Sequence, residues 1–134
     1  MEQTQIGEFA KMRTRTLSQG MKQQLTLAIA YATGARYLLL DEPMNALDPS
    51  RVDLHSEILR KLADSGTCII MSSHILDSVD RLCDEILFLK DGRLIRSIPQ
   101  DDAAPKSPGS HFAKPAGRAE GALSTYRRLY EKGG

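Results

Sequence analysis

Three features predict an α/β chain built on parallel strands. Tyr37–Leu40 and Cys68–Met71 are short, continuously apolar runs, the pattern of strands buried on both faces. A helical stretch lies between them, and a strand–helix–strand unit of this kind forms a right-handed crossover between parallel strands. Ile86–Leu89 and Arg93–Ile95 flank Asp91-Gly92, the strongest short hairpin signal in the chain.

The elements follow in order. Ser18 is an N-cap candidate, and Met21, Leu25, Ala28, Ile29 and Ala32 then recur at helical spacing until Gly34. The strand Tyr37–Leu40 ends in Asp41-Glu42, and Pro43 stops it. Asp48-Pro49 is a cap followed by a first-turn proline. Val52, His55, Ile58, Leu59 and Leu62 carry that helix to Gly66. After the second strand, Ile75 to Cys83 reads as a short helix with Ile75, Val79 and Leu82 inward. Beyond Pro99 the composition changes. Residues 99–134 hold four of the six prolines and five of the ten glycines. The stretch 99–121 reads as a flexible linker. Ala122 to Lys132 reads as one short helix with Leu123, Tyr126, Leu129 and Tyr130 on one face.

Composition narrows the function. The 134 residues carry a net charge of +1, and aromatics are 5% with no Trp. A binder that neutralises a nucleic-acid backbone is more basic than this, and a base-stacking platform needs aromatics. No apolar run is long enough to span a bilayer, and Met1 to Ala10 has no apolar signal-peptide core. Cys68 and Cys83 are too few for a disulfide framework or a zinc site. These features point to a soluble, reduced, cytoplasmic chain.

In open parallel sheets ligands sit at the carboxyl ends of the strands. Two polar groups occur there, Asp41-Glu42 and Ser72-Ser73-His74. Four apolar residues followed by Asp-Glu make a Walker B pattern. Asp41 offers a hard oxygen ligand for Mg²⁺, and Glu42 can polarise an attacking water as general base.

Around this pair stand three further motifs. Leu17-Ser18-Gln19-Gly20-Met21 resembles the signature motif of the ATP-binding cassette (ABC) ATPases, and sixteen residues separate it from Leu38. Asn45-Ala46-Leu47-Asp48 resembles the D-loop, and Ser72-Ser73-His74 the switch-histidine loop. The four motifs come in the family's order, and the resemblance covers roughly residues 6–98. Leu-Ser-x-Gly-Met-Lys-Gln and the stretch from Ser73 to Asp84 look most like bacterial drug, peptide or ABC-2-type exporters.

The resemblance implies part of a P-loop NTPase (RecA-like) three-layer fold, with a signature helix and a C-terminal β-hairpin. It implies that residues 1–98 are the C-terminal portion of the nucleotide-binding domain; the linker 99–121 and the short helix 122–134 are read from composition and spacing alone, and the resemblance does not reach them. It implies ATP and Mg²⁺ as ligands, with Asp41 on the metal and Glu42 and His74 as catalytic residues. Ser18, Gln19, Gly20 and Met21 would bind the γ-phosphate of ATP held by the other chain of a head-to-tail dimer. A helix N-terminus with a small hydroxyl and a glycine suits a phosphate. Asp48 would contact the partner across the interface while capping its own helix, worth ~1 kcal/mol. The implied partners are a second nucleotide-binding subunit and transmembrane permease subunits, with no nucleic acid. The implied place is cytoplasmic, peripheral on the inner face of the membrane.

A P-loop needs Gly-x-x-x-x-Gly-Lys-Ser/Thr. No glycine of the 134 residues precedes a lysine. Gln3 and Gln5 stand too close to the signature to fill the Q-loop role. The expectation is a fragment that is inactive alone. Its sheet, missing the neighbouring Walker A strand, is expected to leave an uncovered apolar face and edge and to be prone to aggregation. The alternative is a non-enzymatic partner that donates its signature to a P-loop on another polypeptide. DNA-repair and chromosome-organising ATPases carry long heptad helices, and none is present.

Overall fold

The computed structural model describes residues 6–9, 11–99 and 121–131. It divides into two compact units, Met1–His74 and Ile75–Gly134.

In the first unit, short 3-10 turns at Ile6–Glu8 and Thr14–Thr16 precede helix α1, Gln19–Ala32. Ile6, Phe9 and Leu17 form a small buried cluster on which Met21, Leu25 and Ala28 of α1 pack. Ser18 caps α1, its Oγ accepting the Met21 N–H at 3.2 Å. The apolar stripe differs from the expected one at two places. Leu27 is 1% exposed, whereas Ile29 is 59% exposed. Gly34 (φ +63°) takes the left-handed conformation that ends the helix.

Strands β1 (Tyr37–Leu40) and β2 (Cys68–Met71) pair in parallel, Leu39 opposite Ile70 and Leu40 opposite Met71. Helix α2, Pro49–Asp64, connects them. Asp48 caps it, Oδ1 accepting the Arg51 N–H at 3.1 Å, and Gly66 (φ +98°) follows its end. His55, Ile58 and Leu59 form its buried face.

Burial on both faces does not hold for these strands. Leu38 is buried, but Tyr37, Leu39 and Ile70 are 70%, 78% and 59% exposed. Side chains alternate across a strand, and the register places Tyr37, Leu39, Cys68 and Ile70 on one face. Within the first unit that face is an exposed apolar surface, and Leu38 on the other face is buried.

The second unit holds α3 (Leu76–Leu82) and the antiparallel hairpin β3 (Glu85–Lys90) and β4 (Arg93–Pro99). Asp91 (φ +50°) and Gly92 (φ +72°) form its turn, both left-handed as a type I′ turn requires. Val79, Ile86, Phe88 and Ala122 make the core, with Leu76, Cys83, Ile98, Leu129 and Tyr130 packed on it. The inward face of α3 is thus Leu76 and Val79, with Ser78 also buried. The expected continuous helix from Ala122 is instead α4 (Ala122–Tyr126) followed by a π turn, Arg127–Glu131. Its inward residues are Ala122 and Thr125, while Leu123 and Tyr126 are exposed. The Asp80 carboxylate caps α4, accepting the Ala122 N–H at 2.9 Å. Of the expected linker 99–121, Pro99 instead ends β4 and Gly121 precedes α4; residues 100–120 and Lys132 lie outside the described residues.

Candidate functional site

The site forms where β1 and β2 end. The parallel ladder runs one step past the strands, the Ser72 N–H donating to the Leu40 carbonyl at 2.9 Å. That step brings the Ser72 side chain against the acidic pair. Its hydroxyl donates to Asp41 Oδ1 at 2.5 Å and accepts the Glu42 N–H at 2.8 Å. Two residues further on, His74 Nδ1 meets Glu42 Oε2 at 2.8 Å. Asp41, Glu42 and His74 are therefore gathered by one three-residue segment, Ser72–His74.

Glu42 has φ +46°, the left-handed region that a non-glycine residue seldom takes. Hydrogen bonds to the backbone on its C-terminal side brace it there. Gln23 on α1 donates from Nε2 to the Pro43 carbonyl at 3.0 Å, and the Asn45 N–H closes a turn onto the Glu42 carbonyl at 3.0 Å. The carboxylate of Glu42 is half-buried, whereas His74 is two-thirds exposed. With a carboxylate on Nδ1, the imidazole carries its proton there when neutral, leaving Nε2 as its remaining acceptor.

Ser18 to Met21, the run that resembles a signature motif, start α1. Ser18 is exposed and spends an acceptor lone pair on Met21, so its own proton stays available for a further acceptor. Gln19 is exposed. Met21 packs its side chain into the Ile6–Phe9–Leu17 cluster, so its contact with a ligand would be through backbone. Gly20 lies against the turn that holds Ala46. A Cβ there would meet the Ala46 carbonyl oxygen at 2.7 Å, and Ala46 itself is left-handed (φ +61°). The close approach at Gly20 is therefore to protein backbone. Asp48 is exposed, and its carboxyl is held below its ordinary range first by the Ser50 hydroxyl, at 2.6 Å, and then by the Arg51 N–H. Its expected cap is formed. Gln23 and Ser72 are site residues to which the sequence alone assigns no role of their own: Ser72 stands out only as part of Ser72-Ser73-His74, and Gln23 only as a polar residue on α1.

For Mg²⁺ the donor chemistry fits in part. Asp41 and Ser72 offer adjacent hard oxygens, but no group of three His, Cys, Asp or Glu gathers among the described residues. Nucleotide oxygens and water would complete such a site. The depression at the strand ends holds about 220 Å³ and is lined by Leu39, Leu40, Asp41, Ile70 and Ser72. That is below the usual 300 Å³ or so of a ligand pocket, and largely apolar. It does not enclose a nucleotide.

The chain is similar to known proteins over part of their length. The ABC transporter family matches residues 1–45. Over 99 residues the chain is 38% identical to the Nod factor export ATP-binding protein I of Neorhizobium galegae, covering 74% of this chain and 28% of that protein. Over 90 residues it is 39% identical to the lantibiotic transport ATP-binding protein SrtF of Streptococcus pyogenes, covering 67% and 39%. The chain thus spans roughly a third of the length of these curated relatives. Among solved structures it is similar to an ATP-binding subunit of an ABC transporter (TM-score 0.61, 31% identity, 66% of this chain and 37% of that one). It is also similar to a dimeric post-hydrolysis ATP-binding cassette bound to ADP and Pi (TM-score 0.68, 26% identity, 75% and 45%). The α/β fold is that of the P-loop ATPase domains of these proteins.

Proposed function

This chain belongs to the ABC transporter family, and from that premise we propose that it supplies the signature, Walker B, D-loop and switch-histidine portion of an ATP-hydrolysing transport subunit. One observation carries the reading. Asp41, Glu42 and His74, from the ends of two parallel strands, meet through hydrogen bonds of 2.5–2.8 Å.

In this reading Asp41 holds Mg²⁺ together with nucleotide oxygens, and the metal would neutralise phosphate charge. Glu42 is the general base that takes a proton from the attacking water. His74 Nδ1–H holds that carboxylate in place, and the imidazole faces the γ-phosphate. Ser18, Gln19, Gly20 and the Met21 backbone, at the N-terminus of α1, receive the γ-phosphate of ATP held by a second nucleotide-binding subunit. Asp48 reaches that subunit across the interface. Transmembrane permease subunits couple this cycle to transport and hold the assembly at the inner face of the membrane. In the chain itself no helix among the described residues is long and apolar enough to cross one.

The P-loop that must cradle the phosphates is not in these 134 residues. The test follows from that. The purified chain with ATP and Mg²⁺ is expected to show no turnover. Joining it in cis to an upstream segment that carries a P-loop is expected to restore turnover, and Ser18→Arg to abolish ATP-driven dimerisation by placing bulk where the phosphate goes. Turnover restored only in trans, by a partner whose P-loop is intact and whose own signature is disabled, would instead identify a donor of the signature. Turnover by the chain alone that is lost in Glu42→Gln would overturn the absence of a cradle.

A further inference from the structure

We infer that Ser72 is a positioning residue of this site: its one hydroxyl fixes Asp41 and Glu42 in a single arrangement. The inference rests on the roles proposed above for those two carboxylates.

A serine hydroxyl has one proton and two lone pairs. Here the Glu42 N–H donates to the Ser72 oxygen at 2.8 Å, so the serine proton goes to Asp41 Oδ1 at 2.5 Å. The result is a directional chain, N–H to O–H to carboxylate, in which each bond polarises the next. The last bond is to an anionic group and is the strongest kind. The serine in turn has a fixed origin, because its N–H is bound to the Leu40 carbonyl at 2.9 Å as a continuation of the sheet. The position of the sheet is thus transmitted to both acidic residues through one side chain.

Glu42 needs such an anchor. Its left-handed backbone is disfavoured for a residue with a Cβ and persists only where surrounding contacts over-determine it. The bond from its N–H to Ser72 supplies one of those contacts, and it acts on the backbone, where Glu42's own carboxylate cannot. His74 holds the carboxylate end at 2.8 Å. The segment Ser72–His74 therefore grips Glu42 at both ends. Alanine at 72 would remove the donor and the acceptor together, whereas threonine keeps both.

Hydrogen–deuterium exchange of the full 134-residue chain at low concentration, resolved to single amides, tests this. Ser72→Ala is expected to speed exchange of the Glu42 amide about tenfold. The Ser72 and Cys68 amides, bound to the Leu40 and Arg36 carbonyls, report on the sheet itself and are expected to stay unchanged. Ser72→Thr is expected to restore the wild-type Glu42 rate. In an assembly that turns over ATP, Ser72→Ala is expected to lower kcat about tenfold and Ser72→Thr to keep it. A Glu42 amide that exchanges alike in wild type and Ser72→Ala overturns the inference, as does faster exchange that Ser72→Thr does not reverse. Full turnover in Ser72→Ala, in an assembly whose turnover Glu42→Gln abolishes, overturns it as well. If Glu42→Gln leaves turnover intact while the Glu42 amide still responds to Ser72, it is the proposed role of Glu42 that fails, and the anchor stands.

Discussion

Glu42 carries two unlike constraints, a left-handed backbone and a carboxylate hydrogen-bonded to His74. A residue placed for packing alone would need neither. Glu42→Gln keeps the volume and the acceptor oxygen but cannot take a proton. In a P-loop-supplied assembly we expect turnover to fall by roughly 10²–10⁴, the usual worth of a general base, while ATP-driven dimers persist. Steady-state phosphate release alongside size-exclusion chromatography with ATP checks both. His55 offers a second prediction at this scale. It is fully buried in the first unit, with Nδ1 3.1 Å from the Tyr31 hydroxyl. Burial, aided by the Arg51 charge, holds its pKa below the ordinary 6.5. Folded, it stays neutral where the unfolded chain takes up a proton, so the unfolded state binds more protons as pH falls through 6.5. Stability should therefore be fully present above that value and decline below it. Denaturant unfolding at pH 7.5 and 5.5 should show the loss, and His55→Gln should shrink it. An equal loss in His55→Gln would assign the effect elsewhere.

At the scale of elements, local chemistry was legible and remote chemistry was not. Ser18 and Asp48 announce helix starts because a cap acts on N–H groups two or three residues away. Asp91-Gly92 announces its turn because both positions need positive φ. Gly92→Ala should accordingly destabilise the hairpin by about 1 kcal/mol, while Asp91→Asn, which tolerates the left-handed region, should be nearly silent. Thermal unfolding of the two variants checks the pair. The cap of α4 carries no such signal. Asp80 lies on another helix, 42 residues from the Ala122 amide it accepts. Gln23 reaches Pro43 across 20 residues in the same way. The π turn at Arg127–Glu131 also escaped the 3.6-residue reading, and there Tyr126 and Tyr130 stack with ring centroids 4.8 Å apart. The acidic pair and His74 were legible because strand ends in a parallel sheet converge. Ser72, which joins them, was visible only as part of a motif.

For the molecule as a whole, the uncovered sheet face decides behaviour in solution. Tyr37, Leu39 and Ile70 together expose an apolar patch on a two-stranded sheet whose outer edges are unpaired among the described residues. Continuous apolar strands are the mark of a sheet covered on both faces, and unpaired edges recruit further strands. A net charge of only +1 supplies little repulsion between copies. The purified chain should therefore associate as its concentration rises. Replacing Leu39 and Ile70 by lysine places like charges side by side on that face, since the two are register partners. The double variant should remain monomeric to higher concentration. The substituted side chains point away from the buried face that Leu38 occupies, so fold stability should change little. Sedimentation velocity over a concentration series, with circular dichroism on the same samples, reads both effects. A wild-type chain that stays monomeric throughout and unfolds cooperatively would mean that the face is covered, and that the sheet is complete without a further layer.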